Sequence, residues 1–137
     1  MTDPQAAARP GPTQPAIRVI MMPKDTNALG TIFGGIILSY TDQAGAVEAH
    51  RHKAGRLVTV AMHEVEFHAP VFVGDLVSFW TETLRLGRTS ITVKVTVEVE
   101  RRAPGLDAGR IKVTEADVVY VRVDADNRPL PLELDPL

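Results

Sequence analysis

The sequence predicts an α+β fold in which one long central helix is wrapped by a curved, five-stranded antiparallel sheet. Three observations predict it. A predominantly apolar stretch runs from about Gly34 to Lys53 and ends before Gly55, a helix stop signal. At 1.5 Å per residue such a helix is roughly 30 Å long, about the width of a small domain. Beyond it, only strand-like segments follow. The clearest is Ile91, Val93, Val95, Val97 and Val99, alternating strictly with Thr92, Lys94, Thr96, Glu98 and Glu100. This is the period of a half-buried strand. Finally, hairpin strands bury one face and need cover for it, and the chain offers a single helix to supply it. The small residues Ala44, Gly45 and Ala46 keep that helix slim.

The elements follow in order. Residues 1–16 carry Pro4, Pro10, Pro12 and Pro15 among Ala and Gln, and read as a disordered tail, not a signal peptide. Ile17 to Met22 is a first strand closed by Pro23, and Lys24 to Phe33 is a loop. After the helix, Val58, Val60 and Met62 alternate with Thr59, Ala61 and His63, but Val65 and Phe67 fall out of phase. A one-residue slip changes the face, so a bulge is expected near His63–Glu64. Pro70 ends this strand, and Val73-Gly74-Asp75 is a turn. Leu76 to Leu86 is the next strand, with Trp80, Leu84 and Leu86 on one face; Gly87 turns into the alternating strand. Ala103 to Gly109, with Pro104 and Gly105, is expected as a loop, Ile111 to Val123 as the last strand and Asp126-Asn127 as a turn. Residues 17–131 therefore form one domain, followed by a tail over 132–137.

Composition narrows the function. The 137 residues are 45% hydrophobic, enough for one core, and the net charge of −2 argues against a nucleic-acid surface. There is no cysteine, which removes disulfides, thiolate metal sites and a cysteine nucleophile and fits a reducing, cytoplasmic setting. No apolar run reaches the length of roughly 18 residues that a membrane span needs. His50 and His52 are two apart on a helix and do not share a face, and His63 and His68 lack zinc-site spacing, so no metal site is expected. There is no Gly-x-Ser-x-Gly elbow either.

The candidate chemistry lies where the loop enters the helix. Asn27-Ala28-Leu29-Gly30-Thr31-Ile32-Phe33-Gly34-Gly35 leads into the apolar helix, which carries Asp42 near its middle. An ionised Asp in such a segment needs partners or a task. The amides of Gly34 and Gly35 open the helix, where free N–H groups and the dipole favour negative charge.

This run, extended back to Met22-Pro23-Lys24-Asp25-Thr26 and forward to Asp42-Gln43-Ala44-Gly45, resembles the hotdog acyl-CoA thioesterases of the YciA type and their acyl-coenzyme A hydrolase relatives in animals. Gly55 to Ala61, Pro70 to Asp75, Gly87 to Ile91 and Lys112 to Ala116 continue the likeness in register, so that it spans roughly residues 17–131. Thr41, Thr31 and Ile36 depart from it where Met, an acidic residue and Trp are usual, and the C-terminus is not basic. The resemblance implies hydrolysis of acyl-CoA to a fatty acid and coenzyme A, without a cofactor. It implies Asp42 as general base or nucleophile, Asn27 polarising the carbonyl or holding the water, and the Gly34 and Gly35 amides facing the oxyanion. Asn27 and Asp42 would meet from opposite subunits of a dimer, with further assembly to a hexamer as a trimer of dimers. Thr59, Val60 and Ala61 would offer backbone groups to the pantetheine, and coenzyme A would lie against Gly87, Arg88, Thr89 and Ser90, with Arg88 near phosphate, the Thr89 and Ser90 hydroxyls on phosphate or pantetheine, and Lys112 and Arg102 as further phosphate candidates. The residues alone leave plainer roles open: Asn27 as turn residue or cap, Gly87–Ser90 as a hairpin turn, Lys112 and Arg102 as surface charge. Two other functions fit the fold. A non-catalytic acyl-CoA-binding regulator would not need Asn27 and Asp42. A hydratase would carry a histidine where Gly30 stands.

Overall fold

The computed structural model describes residues 13–103 and 106–133, with the backbone alone at 102, 103 and 106–108. Most of the expected N-terminal tail, residues 134–137, Pro104-Gly105 and the Arg102 side chain lie outside the described residues. The elements are β1 (Ile17–Ile20), a 3-10 turn (Pro23–Asp25), α1 (Gly34–His50), β2 (Leu57–Phe67), β3 (Leu76–Leu86), β4 (Ser90–Ala103) and β5 (Leu106–Arg122). The strands form one antiparallel sheet in the order β1-β3-β4-β5-β2, the predicted architecture, with β1 and β2 at its edges.

The alternation in β4 sets the core. Ile91, Val93, Val95, Val97 and Val99 are wholly buried and meet Val77 and Phe79 of β3 and Val113, Val118 and Tyr120 of β5. Each such side chain contributes roughly 2 kcal/mol relative to exposure. Helix α1 covers this face with Ile37, Thr41, Ala44, Gly45, Glu48 and Ala49. Glu48 is buried among partners: the Thr83 and Thr81 hydroxyls donate to it at 2.7 and 3.4 Å, and Arg51 at 3.1 Å. The opposite helix positions, Gly35, Ser39, Gln43 and Val47, are exposed in the single chain.

The bulge expected near His63–Glu64 is present. The β2–β5 register shifts between His63 and Glu66, with Glu64 at φ 55°, and shifts again between Thr59 and Ala61. Three expectations need correction. The helix ends at His50, because three-residue backbone bonds tighten its last turn and Lys53 then takes φ 52° before Gly55 at 99°. The segment read as a loop over Ala103–Gly109 is largely strand. Arg102 pairs with Asp107 and Ala103 with Leu106, so the ladder to β4 carries this polar backbone into the sheet. In β3, Trp80, Leu84 and Leu86 do not share one face: the register shifts between Thr83 and Arg85, so Leu86 pairs with the core residue Ile91 while Trp80 pairs with Thr96, and the face toward the helix up to the shift belongs to Val77, Phe79 and Thr81. Beyond β5 the chain remains attached. Val123 bridges to Pro129, and the amides of Leu130, Leu132 and Glu133 donate to Arg122, Arg88 and Ala54 carbonyls. Among the described residues no helix is long and apolar enough to cross a membrane.

Candidate active site

Asp42 sits at the midpoint of α1 and is half-buried under β2 and β5. Its Oδ1 accepts a 2.7 Å hydrogen bond from the Thr59 hydroxyl and a 3.2 Å one from the Tyr120 hydroxyl. Tyr120 also donates to the Asp42 backbone carbonyl at 2.6 Å. Among the described residues no donor engages Oδ2. Tyr120 is only 2% exposed, and this burial pushes its phenol well above the ordinary tyrosine range, with the Asp42 charge and hydrogen bond adding to the effect. The phenol is therefore a donor throughout the neutral range. Gly45 makes room for it: a Cβ there would overlap the Tyr120 hydroxyl oxygen.

The helix start forms a second feature. The Phe33 amide donates back to the Asp25 carbonyl at 3.0 Å and fixes the entry of the chain. The Gly34 and Gly35 amides have no acceptor among the described residues, as expected for the first turn of a helix. The Phe67 ring lies on Gly34, its Cζ 3.3 Å from where a Cβ would stand, and Gly35 faces open space. A cleft of about 300 Å³ opens here between Ile32, Gly34 and Ile37 on one side and Phe67 to Val71 on the other.

Asn27 is a turn residue within the chain. Its Oδ1 accepts from the amides of Leu29 (2.8 Å) and Thr31 (3.2 Å), and its Nδ2 donates to the Thr31 hydroxyl at 2.8 Å. Gly30 closes the loop at φ 86°. The second Nδ2 hydrogen has no acceptor among the described residues. No hydrogen bond joins Asn27 to Asp42.

The other predicted positions are scattered. Thr59, Val60 and Ala61 lie on the edge strand β2, with Val60 at a register shift and 54% exposed. Gly87 to Ser90 is the β3–β4 turn, closed by the Gly87 amide on the Ser90 carbonyl at 2.7 Å. The Arg88 and Thr89 carbonyls accept from Leu132 and Arg122, so the C-terminal segment braces this turn. Lys112 pairs with Glu115 and is the main cause holding that carboxyl below its usual range. His52 Nε2 is 2.8 Å from the Thr83 hydroxyl. The sheet register sets Glu66 opposite Glu115, beside His68, and these three offer ligand atoms within 4.8 Å of one another. Local spacing could not reveal that grouping. Lys112 and Lys94 already approach the same Glu115 carboxylate.

Sequence reasoning missed the hydroxyl pair on Asp42. One signal was available: Gly45 lies inside a helix, where glycine costs about 1 kcal/mol relative to alanine, so something must occupy the space it leaves.

Residues 29–105 match the profile of the thioesterase superfamily. This chain belongs to the thioesterase superfamily. It is 44% identical over 116 residues to an uncharacterized acyl-CoA thioester hydrolase of Zymomonas mobilis, covering 85% of this chain and 76% of the relative. It is 42% identical over 116 residues to the acyl-CoA thioester hydrolase YciA of Salmonella typhimurium, covering 85% and 87%. Its fold is similar to the crystal structure of a hexameric hotdog-fold thioesterase of Campylobacter jejuni, with TM-score 0.82, 41% identity and 88% and 90% coverage. Within this thioesterase-superfamily chain, the hotdog helix thus carries both the carboxylate and the free N-terminal amides.

Proposed function

We propose that this chain hydrolyses acyl-coenzyme A thioesters to a carboxylic acid and free coenzyme A, at sites shared between two copies of itself. One observation carries the reading: Asp42 is held at Oδ1 by donors while no donor among the described residues engages Oδ2. An ionised carboxylate oxygen with no donor of its own is suited to take a proton from water. The water attacks the carbonyl carbon, and Asp42 Oδ2 takes its proton. The tetrahedral oxyanion faces the Gly34 and Gly35 amides, where the helix dipole favours negative charge. Collapse expels the coenzyme A thiolate, and no cofactor enters any step.

Distance supports the sharing. Asp42 lies eight residues beyond Gly34 on one helix, about 12 Å along its axis at 1.5 Å per residue. A base and oxyanion donors must each approach one carbonyl to about 3 Å, so one chain's Gly34 and its own Asp42 do not serve the same thioester. A second copy solves this. Strand β2 presents 11 residues of edge that no described residue pairs on its outer side, a template for pairing with another β2. Asn27, with its spare Nδ2 hydrogen, would then face Asp42 of the other copy. The likeness to a hexameric relative supports a trimer of such dimers. In this reading the acyl chain enters the cleft beside Phe67. The exposed Arg88, with Thr89, Ser90 and Lys112, meets the nucleotide phosphates, and the backbone from Thr59 to Ala61 meets the pantetheine.

The test is thiol release from acyl-CoA esters graded from acetyl to palmitoyl, with wild type and Asp42→Asn side by side. Release by wild type alone is expected; equal release by the variant contradicts the role of Asp42. A single turnover in isotopically labelled water separates general-base attack, which puts label only in the released acid, from an anhydride cleaved at its aspartyl carbonyl, which leaves label in Asp42.

A further inference from the structure

The carboxylate proposed as base is gripped from the sheet by a residue that the reaction itself does not require. We infer that Tyr120 is a positioning residue for Asp42, its hydroxyl bridging the aspartate's backbone carbonyl and Oδ1 so that Oδ2 is the oxygen presented to the reacting water. This rests on the catalytic reading of Asp42 above.

The geometry carries it. A phenol has one proton to donate, and here two acceptors of one residue share it, at 2.6 Å and 3.2 Å. The bridge ties the side-chain torsion of Asp42 to its own backbone. With the Thr59 hydroxyl also on Oδ1, rotation of the carboxylate breaks two bonds. The rigid ring is locked in turn: Tyr120 is buried in β5, paired with Ile91 on one side and Thr59 on the other. Thr59 and Tyr120 are thus cross-strand neighbours that converge on one oxygen. The helix accommodates the contact only because residue 45 is glycine. Burial and the neighbouring charge keep the phenol protonated, so the donor does not disappear at working pH.

The experiment compares wild type, Tyr120→Phe and Asp42→Asn by steady-state kinetics across pH, on the acyl-CoA that wild type turns over best. Phenylalanine keeps the ring and deletes the hydroxyl. The expected result is a fall of about tenfold in kcat with KM unchanged, the scale of one hydrogen bond to a charged group. The acid limb of the rate profile should also move to higher pH, because a donor that favours the ionised carboxylate has gone. A folded Tyr120→Phe enzyme with wild-type kcat and profile overturns the inference. So does a loss in which kcat and KM worsen together with no movement of the acid limb, which marks a general structural role. Full turnover by Asp42→Asn instead sinks the underlying reading. Should Tyr120→Phe not fold, ultraviolet titration of tyrosine in wild type and Asp42→Asn decides. Ionisation of Tyr120 at lower pH in Asp42→Asn supports the contact, and an unchanged titration overturns it.

Discussion

Substitution of Gly45 by alanine separates two views of the helix. On an exposed helix face this change stabilises by about 1 kcal/mol, because alanine loses less backbone freedom. Here the added Cβ would overlap the Tyr120 hydroxyl oxygen and come within 3.1 Å of Cζ and 3.2 Å of Cε2. Tyr120 is held inside β5 and cannot swing away without moving the strand. Overpacking of this kind costs about 1–3 kcal/mol. Pushing the hydroxyl aside also weakens its bonds to the Asp42 carbonyl and carboxylate, each worth about 1 kcal/mol. After the gain in propensity, Gly45→Ala should destabilise by about 2 kcal/mol, a fall of roughly 8 °C in Tm. Thermal or urea unfolding measures this, at one fixed protomer concentration, because an oligomer's Tm depends on it. Adding Tyr120→Phe removes the overlapping atom, so the double variant should be more stable than Gly45→Ala alone. A Gly45→Ala protein as stable as wild type, or more so, would refute the packing argument.

Asn27→Asp keeps the Oδ1 acceptor that organises the 27–31 loop and deletes the amide donor. It should leave Tm within roughly 4 °C of wild type and lower turnover at least about tenfold; a wild-type rate would confine Asn27 to its turn. Alkaline stability should also depend on Tyr120. Its folded value is raised, so its contribution is complete below the unfolded value of about 10 and is lost as pH rises beyond it. Wild type should therefore lose unfolding free energy faster above about pH 10 than Tyr120→Phe does, and parallel curves from urea titrations would contradict this.

The fold was legible where local pattern and tertiary role coincide. The alternation from Ile91 to Val99 marks the core strand because each valine meets the same covered face. The phase slip after Met62 marks the β2 bulge for the same reason. Pattern failed at Ala103–Gly109, where polar residues and a proline–glycine pair suggested a loop but pairing with β4 decided the conformation. It also failed for Trp80, Leu84 and Leu86, because a register shift between Thr83 and Arg85 breaks the face they were expected to share. At the site, the run from Asn27 to Gly35 and the lone Asp42 stood out because they break an apolar context. Thr59 and Tyr120 did not, because cross-strand neighbours that meet a helix residue leave no local spacing to read. The same holds for Glu115 beside Glu66 and His68.

In the proposed reaction one thioester is served by Asp42 of one copy and by the helix start and Asn27 of another. Subunit mixing probes this sharing. Asp42→Asn and Asn27→Ala are each prepared, dissociated, mixed in equal amounts and allowed to reassociate, and thiol release is measured. A mixed dimer pairs the intact Asn27 of one variant with the intact Asp42 of the other at one of its two sites. Random reassociation should therefore restore about one quarter of wild-type activity from two impaired parents. A mixture shown to contain hybrids, yet no more active than its parents, would contradict the shared site.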